Sequence, residues 1–158
     1  MPTEPAHETP SERLQQLLGQ VKALAQEYYE LTGGRSLGVT GEIAEYEAAR
    51  ILGVKLAPVR QAGYDAMRAS EKLQIKGCCV SGNENSWRMG AVRQDRDWSS
   101  VLLVLMSKSY ETYEIWEAGR DTLQPELEAL GTKGMPVKRF KALGVRRWPS
   151  ARPRRVAS

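Results

Sequence analysis

The stretch GYDAMRASEKLQIKGCCV, residues 63–80, decides the fold. Residues 64–68 and 72–80 read as the two strands of a hairpin, with Gln61-Ala62-Gly63 turning the chain ahead of it. Side chains alternate along a strand, so Leu73 and Ile75 point into a core while Gln74 and Lys76 share the other face, beside Asp65 on the neighbouring strand. A carboxylate, an amide oxygen and a lysine at one sheet end are the groups that metal-assisted phosphodiester cleavage needs. Asp65 would hold Mg²⁺ (or Mn²⁺) and Gln74 would add a neutral oxygen. Lys76 would orient or deprotonate the attacking water, or stabilise charge developing on the phosphate.

Upstream, residues 40–52 form a helix stopped by Gly53. It carries three acids that could join Asp65: Glu42, Glu45 and Glu47. Glu45 shares a face with Ala48, Ala49 and Leu52, and two alanines there let the helix lie close on the sheet; Glu42 is on the same row, and Glu47 sits nearer the apolar stripe of Ile43 and Ile51. Residues 54–60 predict a strand, with Pro58 marking an edge or a bulge. Before all of these, Ser11 can cap a helix on which Leu14, Leu17, Leu18, Val21, Leu24, Ala25, Tyr28 and Leu31 recur at three-and-four spacing for about three heptads. That stripe fits a helix packed on its own domain, or a homodimer through the 14–31 helix. Residues 1–10 read as disordered.

Downstream, residues 81–90 are a loop and 101–106 an uninterrupted apolar strand buried on both faces. Residues 110–117 form another strand, 123–130 a short helix with Pro125 in its first turn, and 137–143 a short basic helix. The order of elements predicts an α/β domain with a mixed sheet.

The chain has 158 residues, 41% hydrophobic and 27% charged, which suits one globular domain with a single core. No apolar run is long enough to span a membrane, and the acidic start is unlike a secretory signal. Cys78 and Cys79 are adjacent and do not bridge readily; with one histidine, His7, they build neither a zinc site nor a histidine triad. No P-loop pattern is present. The chain therefore reads as cytoplasmic with reduced thiols.

The formal charge of +4 is unevenly spread. Nine of the 23 basic residues lie at or after Lys133, where there is no acid, leaving 14 basic and 19 acidic residues, a net of −5, in the rest. The expected organisation is a disordered 1–10, a domain over 11–132 and a basic tail over 133–158. Such a tail suits a polyanion, DNA first. Lys138, Arg139, Lys141, Arg146 and Arg147 would contact phosphates, and Trp148, like Trp87, could stack on bases.

The Asp65…Gln74-x-Lys76 pattern resembles the PD-(D/E)XK nuclease superfamily, of restriction-endonuclease-like fold, in the Asp…Gln-x-Lys form of the Mrr-type enzymes. Gln74 stands where an acid is more usual, and Tyr64 where a proline often precedes the first acid. The run Gly41-Glu-Ile-Ala-Glu-Tyr-Glu-Ala-Ala-Arg-Ile-Leu-Gly53, with Leu56-Ala-Pro58, Gly63-Tyr-Asp-Ala66 and Gln74-Ile-Lys76, is also similar to a family of small, uncharacterised bacterial proteins of that superfamily. The similarity covers about residues 40–77. In that family a helix Glu completes the site; Glu45 takes its position, with Ala44 in place of a Gly. The resemblance implies a Mg²⁺-dependent DNA endonuclease with Glu45, Asp65 and Gln74 around the metal and Lys76 assisting. The alternative is a catalytically inactive module of the same fold that binds nucleic acid or a protein.

Overall fold

The computed structural model describes residues 8–34, 37–58 and 63–149. Four helices flank a mixed six-stranded sheet, and a separate two-stranded ribbon buries Met89 and Met135 against it.

Helix α1 (Pro10–Leu31) starts from a capping box on Thr9, not from Ser11. The Thr9 hydroxyl accepts the Glu12 amide at 3.2 Å, and the Glu12 carboxylate accepts the Thr9 amide at 2.7 Å. Pro10 fills the first helical position, where no amide is needed. Thr9 and Pro10 are thus ordered by the helix they start; residues 1–7 of the expected disordered segment lie outside the described residues. Helix α2 (Thr40–Leu52) has the expected bounds. Gly53 closes it at φ 71°, a left-handed conformation that only glycine adopts freely, and returns its amide to the Ala49 carbonyl.

The strand expected over 54–60 is confined to β1 (Lys55–Leu56); residues 59–62 lie outside the described residues. β2 (Ala66–Arg68) and β3 (Glu71–Cys79) form the expected hairpin, but β2 starts two residues later than expected and leaves Tyr64 and Asp65 outside the strand. The 81–90 loop holds a 3₁₀ turn at Glu84–Ser86 and β4 (Arg88–Met89). β5 (Ser100–Met106) is buried at every residue. β6 (Thr112–Gly119) starts two residues later than expected, because Tyr110, at φ 64°, belongs to the turn before it. Helix α3 (Arg120–Leu130) begins earlier than expected, so Pro125 lies inside it and not in its first turn.

The sheet runs β1-β2-β3-β5-β6-β8, with β8 at Val145–Trp148. Among the described residues only β3 and β5 are parallel, and the other neighbouring pairs of this sheet are antiparallel. Alternation sorts the core onto two faces. Leu73, Ile75, Leu102, Val104 and Met106 meet Ala25 of α1 and Ile43, Ala44 and Ala48 of α2. Val101, Leu103 and Leu105 meet Leu123 and Leu127 of α3 and Phe140 of α4 (Val137–Leu143).

The basic segment is not a tail through Pro149. β7 (Met135–Pro136) pairs with β4, α4 buries Val137 and Phe140, and β8 adds an edge strand on β6. Its charges hid this: an edge strand tolerates charge because one side of it faces solvent. Residues 150–158 lie outside the described residues. Cys78 and Cys79 are free and half-buried, and burial pushes both thiols above their ordinary value. Among the described residues no helix is long and apolar enough to cross a membrane.

Candidate metal and nucleic-acid site

The hairpin opens where the candidate residues stand. β2 and β3 pair through Ala66 and Leu73, and one residue further on the Asp65 amide still donates to the Leu73 carbonyl at 2.8 Å. The Asp65 carbonyl then turns to the Ala57 amide on the β1 side. Its side chain takes the place of the missing strand: Oδ2 accepts the Ile75 amide at 2.8 Å. Asp65 therefore stands across from Gln74, with one carboxylate oxygen engaged by β3.

Gln74 and Lys76 lie in register with Val101 and Leu103, on the sheet face that carries α3 and α4, as expected from alternation. Gln74 donates its amide nitrogen to the Gly63 carbonyl at 2.6 Å, which fixes the side chain and leaves its oxygen out of that bond. Lys76 is half-buried, and among the described residues its ammonium has no ion-pair partner.

Helix α2 lies on the opposite face, directly over β3. A Cβ on Gly77 would stand 2.7 Å from the Ala44 Cβ and 2.9 Å from the Thr40 carbonyl, so the contact requires glycine. Ala44 makes this contact and is fully buried, as is Ala48; Ala49, expected to lie on the sheet with Ala48, is only half-buried. Ala44 is thus the residue packed on Gly77.

This seating separates the three helix acids. Glu47 is buried and engaged: Lys22 at 3.1 Å, Arg50 at 2.7 Å and the Thr112 hydroxyl at 3.0 Å surround it. Burial works against its charge, but these partners outweigh burial and hold the carboxyl below its ordinary value. Glu45, two residues earlier, lies on the opposite flank of α2 and is half-buried. Its carboxyl is raised by burial, by the Asp65 charge and by Glu42. Glu42 itself is exposed. Glu45 is therefore the helix acid that shares a field with Asp65.

The residues fit a hard divalent cation in kind. Glu45 and Asp65 repel each other, which a cation would relieve, and the Gln74 amide oxygen adds a neutral donor. Among the described residues no group of three or more His, Cys, Asp or Glu side chains converges, so this set has two acids and an amide.

The expected phosphate contacts fare differently. Arg139 pairs with Glu126. Lys141 bonds Glu84 at 2.7 Å and Glu114 at 3.0 Å and sits over the Trp116 ring. Arg147 bonds Glu117 at 2.6 Å. Lys138 is exposed and, among the described residues, reaches only the Asn85 amide oxygen, at 3.3 Å; Arg146 is half-buried. Trp148 packs against the core on the α2 side, and Trp87 bonds the Ser81 carbonyl and packs edge-on against Tyr113. The acids of the body thus already answer three of the five expected cations.

Sequence reasoning missed Gly77, whose signal was its place directly after Lys76 under a helix rich in alanine. It also missed a buried cluster at Glu117, where Arg68 bonds both carboxylate oxygens, at 3.0 and 2.6 Å, beside Ser100 at 2.7 Å. An acid inside the strand Thr112–Gly119 was the available signal. No protein-family model matches the chain, and no curated protein matches it.

Proposed function

We propose that the chain is a Mg²⁺- or Mn²⁺-dependent DNA endonuclease of restriction-endonuclease-like fold. The observation that carries this reading is the Asp65 carboxylate capping β3 where β2 leaves it, in the field of the half-buried Glu45 of α2 and on a hairpin whose Lys76 has no ion-pair partner among the described residues. Glu45, Asp65 and Gln74 would hold the cation, which when bound supplies charge neutralisation at the scissile phosphate. The chain's own groups do the rest. The Ile75 amide fixes Asp65, the Gly63 carbonyl fixes Gln74, and the Lys76 ammonium stabilises negative charge developing on the phosphate or orients the water that attacks it.

The test is cleavage of duplex, single-stranded and branched DNA in Mg²⁺ or Mn²⁺. Wild type is expected to cut and Lys76→Ala to bind DNA without cutting, with cleavage reduced by about 10²-fold or more. Cleavage retained by Lys76→Ala would sink the reading.

One observation favours a second reading, a catalytically inactive nucleic-acid-binding or protein-interaction module. Gln74 gives the site one negative charge fewer than a third acid would, which weakens its hold on a cation. Salt-dependent DNA binding without cleavage of any of the three substrates would select it.

A further inference from the structure

Helix α1 has more apolar surface than its own domain covers. Leu18, Val21 and Ala25 pack on the core, and Lys22 anchors the helix to Glu47. Yet Leu14, Leu17, Leu24 and Leu31 are 45, 41, 59 and 80% exposed. These are not scattered. With Leu14 as the first heptad position, Leu14, Val21 and Tyr28 take the a positions and Leu17, Leu24 and Leu31 the d positions. The domain covers the a/e side and leaves the d side open along a helix about 33 Å long.

The flanking charges name the occupant. The g positions of the same frame are Arg13, Gln20 and Glu27, all exposed. In an antiparallel pair, g faces g of the other helix. The register that sets Leu14 against Leu24 and Leu17 against Val21 also sets Arg13 against Glu27 and Gln20 against Gln20. One helix therefore carries both halves of a symmetric set of contacts: leucine on leucine, and opposite charges at both ends. Among the described residues neither Arg13 nor Glu27 is bound by an opposite charge; Arg13 reaches only the Gln16 amide oxygen, at 3.1 Å. A parallel pair would set each g residue against an e residue, Leu18 or Ala25, and leave Arg13 and Glu27 without an opposite charge.

We infer that the open face of α1 binds a second copy of this chain, antiparallel, about a two-fold axis at Gln20. The inference is independent of the endonuclease reading. It requires only that each helix contact its own domain through a and e and its partner through a and d, an isologous interface of the kind most homodimers use.

Sedimentation equilibrium on the full chain tests it. Wild type is expected as a dimer in the micromolar range. Leu17→Gln with Leu24→Gln is expected to give a monomer with an unchanged circular dichroism spectrum, since both leucines are exposed. Arg13→Glu or Glu27→Arg alone places like charges at both ends and is expected to weaken association by about tenfold; the two together restore it. Gln20→Cys is expected to form an intermolecular disulfide on mild oxidation. A wild-type monomer at high concentration would overturn the proposal and leave the face to a different protein. So would a dimer indifferent to the leucines, single charge reversals without effect, or a failure of the double reversal to restore association.

Discussion

The Asp65 carboxylate accepts the Ile75 amide at 2.8 Å, where β2 has already left β3. The first acid of the proposed site is therefore also a backbone cap. Asparagine can still accept that amide through its side-chain oxygen, whereas alanine leaves the amide without a protein partner. Asp65→Asn is predicted to fold within about 1 kcal/mol of wild type and to lose metal-dependent cleavage. Asp65→Ala should lose cleavage and also about 1–3 kcal/mol of stability. Urea denaturation beside the cleavage assay checks the split; equal stability of the two variants would show that the cap contributes nothing.

Gly77→Ala should be among the most harmful small substitutions. The new methyl would stand 2.7 Å from the Ala44 Cβ and 2.9 Å from the Thr40 carbonyl, so α2 must move off β3. The predicted cost is about 1–3 kcal/mol, and Glu45 moves with its helix, so the folded fraction should also lose activity. Adding Ala44→Gly removes one of the two clashes and should recover part of the stability in thermal denaturation. A Gly77→Ala protein as stable as wild type would contradict this packing.

Much of the fold was legible in the sequence because it rests on period and on stop residues. The Thr40–Leu52 helix follows from apolar spacing and Gly53, and the alternation of Leu73-Gln74-Ile75-Lys76 assigned the two sheet faces correctly. The segments missed were short or charged. β4 and β7 have two residues each and exist by pairing with each other, which no local pattern encodes. β8 reads as tail because Arg146 and Arg147 dominate it, yet Arg147 is held by Glu117, thirty residues away in sequence. Separating Glu45 from Glu47 likewise needed Lys22 and Thr112, partners that sequence spacing does not place.

Glu117 makes acid stability specific. Burial opposes its charge, but Arg68, Ser100 and Arg147 outweigh it and hold the carboxyl at about 2, against an ordinary value of 4.5. A lowered carboxylate stabilises the fold above its unfolded value, and that contribution fades as pH falls from about 4.5 towards 2. At neutral pH Glu117→Gln should cost up to about 3 kcal/mol. The gap to wild type should narrow as pH drops through that window in denaturant titrations. A gap constant with pH would mean that the charge is not what stabilises the cluster.

DNA affinity should depend on cations the body leaves unpaired. Arg139, Lys141 and Arg147 have acid partners, and cutting the chain after Leu130 would strip β7, α4 and β8 from the fold. The clean variants are Lys138→Ala and removal of residues 150–158, which hold Arg152, Arg154 and Arg155. For every side chain that pairs with a phosphate, its removal should lower the slope of log affinity against log salt by about 1. Fluorescence anisotropy over a salt series reads this; unchanged slopes in both variants would remove Lys138 and residues 150–158 from DNA binding.

Glu45, Asp65 and Gln74 are proposed to hold one cation together, and calorimetric titration of the full chain with Mn²⁺ reads that binding without any assumption about substrate. Wild type is predicted to bind one ion. Asp65→Asn and Glu45→Gln, both expected to stay folded, should weaken binding by at least about tenfold, while Lys76→Ala, which removes no proposed ligand, should bind as well as wild type. Mn²⁺ binding equal in wild type, Asp65→Asn and Glu45→Gln, or absent from wild type, would contradict a shared cation site.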